Sequence, residues 1–203
     1  MRRDIEQDFE DLLIAYSRQN THGEKLQIED TIWQRYGIDQ AVLVLDMSGF
    51  SILCQRYGIV HYLSMIRRMQ LTALPIVESH SGRVVKSEAD NCYAVFAEPL
   101  HAVRSAISMN LAFQASNLIT PDEMDIRIAC GIDYGRILLI GNDDLFGNPV
   151  NRACKLGEDV ADPGEILITQ EAMDRIPSTA EIRGKPVEVT VSGIALNAVA
   201  IEY

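Results

Sequence analysis

The sequence lacks the features that mark several common classes of protein. Its four cysteines are widely spaced and form no C-x-x-C pair, so reduced thiols are expected rather than a disulfide framework or a zinc site. No stretch approaches the roughly 18 consecutive apolar residues of a membrane span, and the N-terminus has no apolar core of a secretory signal. We therefore expect a soluble cytoplasmic protein with no membrane partner.

Basic residues are also scarce, with 18 Lys and Arg against 29 Asp and Glu and a net charge of -11. Such a chain lacks the positive field with which proteins hold a nucleic acid backbone, so no nucleic acid partner is expected. Apolar residues, in contrast, make up 47% of the 203 positions. That content is sufficient for the core of one domain of ordinary to large size.

The hydrophobic pattern predicts an N-terminal helical extension over residues 1–38, with a second short helix that ends at Gly37, and one domain over residues 39–203. The predicted elements of this domain, in chain order, are a buried strand at 41–45, a helix near 60–80, a hairpin at 83–96, a helix at 99–117, a strand pair at 125–140 around Tyr134-Gly135, a helix at 149–160, and further strands with a short helix up to residue 203. The order β-α-β-β-α-β is that of a ferredoxin-like α/β (α+β) fold, a split βαβ core with additional C-terminal strands and helices. The helices are predicted to lie on one face of the sheet.

Two acids fall where such a fold can bring them together. Asp46 follows the first strand, and Gly49 closes a tight turn whose backbone N–H groups can hold an anion. Asp90 lies in the turn of the hairpin that would neighbour this strand. Two carboxylates of this kind suit Mg²⁺ or Mn²⁺. Taken singly, Asp46 is equally well a helix cap, and Asp90 is equally well a solvated turn residue.

A third polar group occupies the segment DLFGNPVNRACK at 144–155. Pro149 lies near a helix start, and Asn151 and Lys155 are one helical turn apart on the same face. An amide and an ammonium group at this spacing can both reach a polyphosphate or a ribose. A capped surface helix explains the same residues without any function.

Four segments together resemble the class III adenylyl and guanylyl cyclase catalytic domains over about residues 40–203. They are DMSGFS at 46–51, VVKSEADNCYAVF at 84–96, RIACGIDYGRILLIG at 127–141 and DLFGNPVNRACK at 144–155. Four motifs in the order of the family are far more specific than any one of them. The resemblance implies the ferredoxin-like fold that the order of elements predicts.

The resemblance also implies a role for each matching residue. Two divalent cations, Mg²⁺ or Mn²⁺, would be held by Asp46, Asp90 and the carbonyl of Met47. The implied substrate contacts are backbone amides of Gly49, Phe50 and Ser51 for the phosphates, Lys86 and Asp144 for the base, Asn151 for the ribose, Lys155 for the transition state and Lys185 for the phosphates. The Lys86 and Asp144 pair is of the adenylyl cyclase type.

Three departures from the family pattern bear on activity. Lys155 stands where the family has an arginine, so the charge is kept without the planar fork of a guanidinium group. Arg183-Gly184-Lys185 matches the phosphate-binding K-G-K stretch only loosely, so Arg183 and Lys185 both remain candidates. Glu88-Ala89 replaces the usual Ile-Gly before the second metal acid. With these changes ATP is favoured, and GTP or a pyrimidine nucleoside triphosphate stays open.

Two hypotheses of different class follow from the sequence. The first is an enzyme that makes a 3′,5′-cyclic nucleotide and pyrophosphate from a nucleoside triphosphate, working as a homodimer with composite active sites. The second is a catalytically weak or inactive cyclase-like domain that binds a nucleotide or a partner. Both metal acids and Asn151 are present, and this favours the enzyme.

Overall fold

The computed structural model describes residues 2–191 and 194–203, with the side chains of these residues except those of 2–4, 50–53, 191 and 194. The α-helices are α1 (Arg2–Arg18), α2 (His22–Tyr36), α3 (Phe50–Tyr57), α4 (Ile59–Ser79), α5 (Pro99–Asn117), α6 (Asn148–Cys154) and α7 (Gln170–Met173). A π-helical turn, Lys155–Val160, follows α6, and short 3₁₀ turns lie at Asp122–Met124 and Ser178–Ala180. The strands are β1 (Gly37–Met47), β2 (Arg83–Glu88), β3 (Asn91–Phe96), β4 (Ile128–Ile140), β5 (Asp144–Phe146), β6 (Ile166–Thr169), β7 (Arg183–Val191) and β8 (Ile194–Glu202).

One sheet contains all of these strands in the order β2-β3-β1-β4-β6-β8-β7, and β5 pairs with β4 outside this path. The first four strands of the path are antiparallel to their neighbours, which is the arrangement of a ferredoxin-like core. β6 joins this core parallel to β4, and the β7–β8 hairpin extends the sheet. The predicted fold class is thereby confirmed, including the additional C-terminal strands.

β4 corrects the prediction of a strand pair at 125–140. The segment is a single strand that pairs with the whole length of β1, from Gly37 opposite Leu138 to Met47 opposite Ile128. Tyr134-Gly135 resembles a turn in sequence but lies in the middle of this ladder. Because β1 offers an unbroken row of partners, continued pairing overrides the local preference of a Tyr-Gly pair for a turn.

The helices lie on both faces of the sheet, so the prediction of a single helical face is wrong. Alternate residues of β1 point to opposite sides. Leu43 and Leu45 belong to the main core with α4 and α5, whereas Val42 and Val44 pack with Val150 and other residues of α6 and the strands. The helix at 148–160 therefore covers the face opposite to α4 and α5.

Two glycines allow the helical segment at 148–160 to lie directly on the strands. A Cβ atom added to Gly131 of β4 would lie 2.5 Å from the backbone nitrogen of Gly157. One added to Gly157 would lie 3.0 Å from the carbonyl oxygen of Val44. The first distance is shorter than real Cβ contacts, and the second is tighter than most of them, so this contact favours glycine at both positions. The close contact places the residue after Gly157 beside the end of β1.

The extension contains two full helices rather than one helix and a short second one. Thr21 caps α2 by accepting a hydrogen bond from the backbone nitrogen of Glu24, so α2 begins at His22. Phe9, Ile32 and Tyr36 of the two helices pack with Ile140 of β4 in one buried cluster. The extension thus rests on the strand that borders β5.

The four cysteines are free thiols, and Cys92 and Cys130 are buried. In the described ranges, 2–191 and 194–203, no helix is long and apolar enough to cross a membrane.

A buried ion pair fixes α6 on the sheet. Asp133 of β4 is fully buried, receives a hydrogen bond from Thr169 Oγ1 at 2.5 Å, and pairs with Arg152 Nε at 2.6 Å. Burial raises the pKa of Asp133, although the hydrogen bond from Thr169 and the charge of Arg152 act to lower it. Arg152 directly follows Asn151, so this pair sets the position of the candidate ribose contact.

We expect Arg152→Met to lower the free energy of unfolding by about 2–3 kcal/mol, because it leaves the Asp133 carboxylate buried without its partner. Urea denaturation measures this difference. Arg104→Met is the matched control, since Arg104 is exposed on α5. Adding Asp133→Asn to the Arg152→Met variant should restore part of the loss. Equal stability of the Arg152→Met and control variants would contradict the proposed anchoring role.

Candidate active site

Asp46 and Asp90 lie together at the end of β1. Asp46 is the second-last residue of this strand and pairs in register with Asn91, the first residue of β3. Asp90 occupies the β2–β3 turn, and its carbonyl oxygen accepts a hydrogen bond from the backbone nitrogen of Met47 at 3.3 Å. The sequence predicts that the two acids converge, and the structure brings them together within one chain.

The two acids have different surroundings. Tyr62, a buried residue of α4, donates its hydroxyl hydrogen to Asp90 Oδ2 at 2.7 Å. Burial, together with the nearby charges of Asp90 and Glu158, raises the pKa of Asp46 to about 6. Repulsion among half-buried carboxylates is the electrostatic environment that a bound cation would relieve.

The turn after β1 leads directly into a helix. Gly49 has a φ of 96°, in the left-handed region, and is the N-cap of α3. Glycine reaches this conformation without strain. The first backbone N–H groups of α3, from Phe50 and Ser51 onward, have no partner within the helix and carry its positive dipole end, which suits an anion. The side chains of Phe50 and Ser51 lie outside the described residues.

Lys86 of β2 and Asp144 of β5 form an ion pair. Lys86 Nζ lies 3.0 Å from Asp144 Oδ1 and 3.3 Å from Glu88 Oε1, and it stands 5.0 Å above the centre of the Tyr93 ring. Burial acts to lower the pKa of Lys86, but the hydrogen bonds to Asp144 and Glu88 outweigh it, and the pKa is raised. The pair presents one cationic donor and one acceptor side by side.

The remaining predicted residues lie elsewhere in the chain. Asn151 is exposed on α6, and Lys155 begins the π-helical turn, where its Nζ pairs with Asp159 Oδ2 at 2.6 Å. Lys185 lies on β7 at the sheet edge opposite to β2 and pairs with Glu202 Oε1 at 2.7 Å. A single chain therefore does not bring Lys185 to the ends of β1 and β2.

Sequence reasoning missed Glu158, which lies beside Asp46. Its Oε1 accepts hydrogen bonds from Asn91 Nδ2 at 3.1 Å and from the Tyr93 hydroxyl at 3.3 Å. Burial raises the pKa of Glu158. Glu158 follows Lys155 by three residues, so helical spacing places the two side chains on the same helical face. This spacing was the signal for Glu158 that the sequence offered.

The acids at the end of β1 suit a divalent cation. Within the described part of the chain, no three His, Cys, Asp or Glu side chains are arranged as a metal site. Mg²⁺ is ordinarily held by one or two carboxylates together with water and substrate phosphates, so a pair of acids is sufficient. The neighbouring Asp46 and Asp90, with the raised pKa of Asp46, fit such an ion.

The fold and the paired acids define a ferredoxin-like α/β domain with a polar site at the end of its central strand. Residues 35–195 match the adenylate and guanylate cyclase catalytic domain family. The match covers well over half of the chain. The chain belongs to this family, which confirms the family predicted from the four motifs.

Two proteins are similar to this chain over part of their length. A protein of Mycobacterium tuberculosis, the uncharacterized protein Rv2212, is 28% identical over 159 residues, which are 77% of this chain and 39% of that protein. The serine/threonine-protein kinase pkn2 of Myxococcus xanthus is 25% identical over 69% of this chain and 17% of its own length. The chain thus spans about two fifths or less of the length of these relatives.

Solved structures show the same fold. An adenylate/guanylate cyclase/hydrolase from Silicibacter pomeroyi has a TM-score of 0.71 and 25% identity, over 81% of this chain and 96% of that chain. A dimeric guanylyl cyclase domain from the aquatic fungus Blastocladiella emersonii has a TM-score of 0.69 and 16% identity, over 81% and 97% of the two chains.

Proposed function

We propose that this protein is a nucleotidyl cyclase that converts a nucleoside triphosphate, with ATP favoured, to a 3′,5′-cyclic nucleotide and pyrophosphate. The observation that carries the proposal is the pair of acids at the end of β1, beside the start of α3. Residues that would hold cations and residues that would hold phosphates lie next to each other there. Family membership supports the same reaction class.

In the proposed reaction, the ribose 3′-oxygen bonds to the α-phosphorus while the bond from that phosphorus to the bridging oxygen breaks. Asp46, Asp90 and the Met47 carbonyl would hold two divalent cations, Mg²⁺ or Mn²⁺. Bound cations would favour loss of the 3′-hydroxyl proton and neutralise the leaving pyrophosphate. The backbone amides at the start of α3 would hold the β- and γ-phosphates.

The base half of the proposed site consists of Lys86 and Asp144. Adenine presents an acceptor at N1 beside a donor at N6. Lys86 can donate to the first, and Asp144 can accept from the second. Asn151 would orient the ribose, Lys155 would stabilise the charge that develops on the phosphate, and Lys185 or Arg183 would reach the phosphates from the far edge of the sheet.

Because Lys185 lies far from the acids within one chain, the proposal includes a homodimer. A two-fold symmetric pair would combine the acids of one subunit with Lys86, Asp144, Asn151 and Lys155 of the other, giving two equivalent sites. A cyclase domain of similar fold is described as a non-canonical dimer, which supports self-association but not this particular arrangement.

A second candidate is a domain that binds a nucleotide without turnover. Lys155 replaces the arginine of the family, and its ammonium group is already paired with Asp159 at 2.6 Å. Charge neutralised in this way is less available to a phosphate.

One experiment separates the two candidates. The purified protein is incubated with Mn²⁺ and each of the four ribonucleoside triphosphates, and cyclic product and pyrophosphate are quantified by chromatography. We expect both products in equal amounts, most from ATP, and none without the metal. Nucleotide binding with no product from any of the four would establish the second candidate.

A base-exchange variant tests the role of Lys86 and Asp144. Lys86→Glu replaces the cationic donor with an anion, and Asp144→Cys replaces the anionic acceptor with a neutral thiol. We expect a loss of at least about tenfold in kcat/KM for ATP, because polar groups of the base are then mismatched. Arg67→Glu with Glu78→Cys, at exposed positions of α4, makes the same changes of charge elsewhere and should leave the value unchanged. Higher wild-type activity with UTP or CTP than with ATP would contradict the assignment.

A further inference from the structure

The N-terminal extension touches the strand that carries Asp144. Phe9 of α1 stacks on Phe146 of β5, with ring centres 6.2 Å apart and planes inclined by 15°. Phe9 is only 8% exposed, whereas Phe146 remains 44% exposed. Phe9 therefore covers one face of the Phe146 ring, and the rest of the Phe146 side chain is exposed to solvent.

Besides this contact, β5 is held by the buried Leu145, by the Lys86–Asp144 ion pair and by its pairing with β4. It is three residues long, and it pairs only with β4 in the described sheet, from Leu138 opposite Phe146 to Ile140 opposite Asp144. Side chains alternate along a strand, so Asp144 and Phe146 lie on one face while the buried Leu145 lies on the other. A contact on Phe146 is thus a contact on the face that carries Asp144.

The space between α1 and β5 includes Asp144 itself. A cleft of about 390 Å³ is lined by Phe9, Glu10 and Leu13 of α1 and by Asp144 and Phe146 of β5. A displacement of α1 would therefore change the surroundings of Asp144 directly.

The position of Phe9 is fixed in turn by α2. Arg35 Nη1 lies 2.7 Å from Asp8 Oδ2, and the Tyr36 hydroxyl donates to the same oxygen at 2.6 Å. The Tyr36 ring packs edge-on against Phe9, with ring centres 5.2 Å apart. Contacts with α2 thus hold Phe9 in place.

We propose that α1 is a positioning element for base recognition: Phe9, acting through Phe146, holds Asp144 where it pairs with Lys86, and so contributes to discrimination between nucleobases. The inference rests on the proposed role of Lys86 and Asp144. It gives residues 1–38 a function within the site. Phe9 does not touch the base and acts only through β5.

The test measures nucleotide discrimination rather than activity alone. ATP and GTP compete with a fluorescent ATP analogue for the full chain in the presence of Mn²⁺. The Kd for GTP divided by the Kd for ATP is then compared among variants. We expect Phe9→Ala and Phe146→Ala each to reduce this ratio by about two- to tenfold, the range of a lost aromatic pair. The double variant should lose no more than either single variant, because both changes remove one contact.

Two controls separate positioning from loss of the fold. Phe9→Leu keeps apolar bulk in the cluster and should reduce the ratio less than Phe9→Ala. Phe113→Leu alters a buried ring of α5 in the main core cluster, which contains neither Phe9 nor Phe146, and should leave the ratio unchanged. Thermal denaturation confirms that each variant is folded at the temperature of the assay.

The outcomes distinguish this inference from the function on which it rests. A wild type that does not discriminate ATP from GTP overturns the base-reading role of Asp144, and the inference with it. A discriminating wild type with an unchanged ratio in folded Phe9→Ala and Phe146→Ala variants overturns the inference alone. Additive losses in the double variant would likewise contradict action through the Phe9–Phe146 contact.

Discussion

Asp46→Asn and Asp90→Asn should each reduce cyclic nucleotide formation by at least about a hundredfold, because each removes a charged ligand of the proposed cations. The two variants should differ in stability, however. Asp46→Asn removes a charge that burial and neighbouring carboxylates disfavour. Asp90→Asn, in contrast, weakens a hydrogen bond that the carboxylate accepts from buried Tyr62 at 2.7 Å. Measured together, activity and stability therefore test both the site and its electrostatics.

The sign of the stability change follows from the pKa of Asp46. Its pKa in the folded protein is about 6, above the ordinary value of 3.8, so folding favours the protonated form. That contribution is fully present below pH 3.8 and is lost as the pH rises through 6. At pH 7.5, without metal, Asp46→Asn should thus raise the free energy of unfolding by about 1–2 kcal/mol, allowing for partial exposure.

Asp90→Asn should not show this gain, because a neutral acceptor for the Tyr62 hydroxyl is weaker than a carboxylate. Urea denaturation in EDTA at pH 5 and pH 7.5 checks both expectations, and the gain for Asp46→Asn should shrink at the lower pH. Asp39→Asn, at an exposed position of the same strand, is the matched control and should change neither quantity. Near wild-type turnover by either site variant would remove the support for two cation ligands.

Local patterns in the sequence predicted much of the fold because they coincide with its tertiary arrangement. α5 spans Pro99–Asn117, as Pro99 and the helical spacing after it predict. The hairpin that holds Asp90 is also present. The strand order followed from the order of elements, since a split βαβ unit allows few alternatives.

Errors arose where distant partners decide the local structure. Tyr134-Gly135 has the composition of a turn, but pairing with β1 keeps it extended. The face on which α6 lies depends on contact between Gly131 and Gly157, residues 26 positions apart that no periodicity connects. Glu158 escaped notice for the same reason, because its proximity to Asp46 depends on this contact.

Lys185 illustrates what one chain cannot supply. The resemblance assigns it to the phosphates, yet it lies on β7 at the edge opposite to β2 and pairs with Glu202. The assignment therefore stays a prediction that requires a second subunit. An experiment on mixed subunits addresses this requirement directly.

Mixing inactive Asp46→Asn protein with inactive Asn151→Ala protein should restore activity if the sites are shared between subunits. In the mixed dimer one composite site carries both lesions and the other carries neither. By symmetry, each mixed dimer should then show up to about half of the wild-type activity. Turnover of ATP is measured after subunit exchange, which native mass spectrometry of differently tagged subunits quantifies.

A second mixture supplies the matched control for the shared site. Asp46→Asn with Asp90→Asn places one lesion in each composite site, since both acids belong to the same half, so no activity should return. Recovery in this mixture as well would indicate reversion or contamination rather than shared sites. Absence of recovery in the first mixture, with exchange demonstrated, would show that each chain carries a complete site. In that case Lys155 and Asn151 would have to reach the acids of their own subunit.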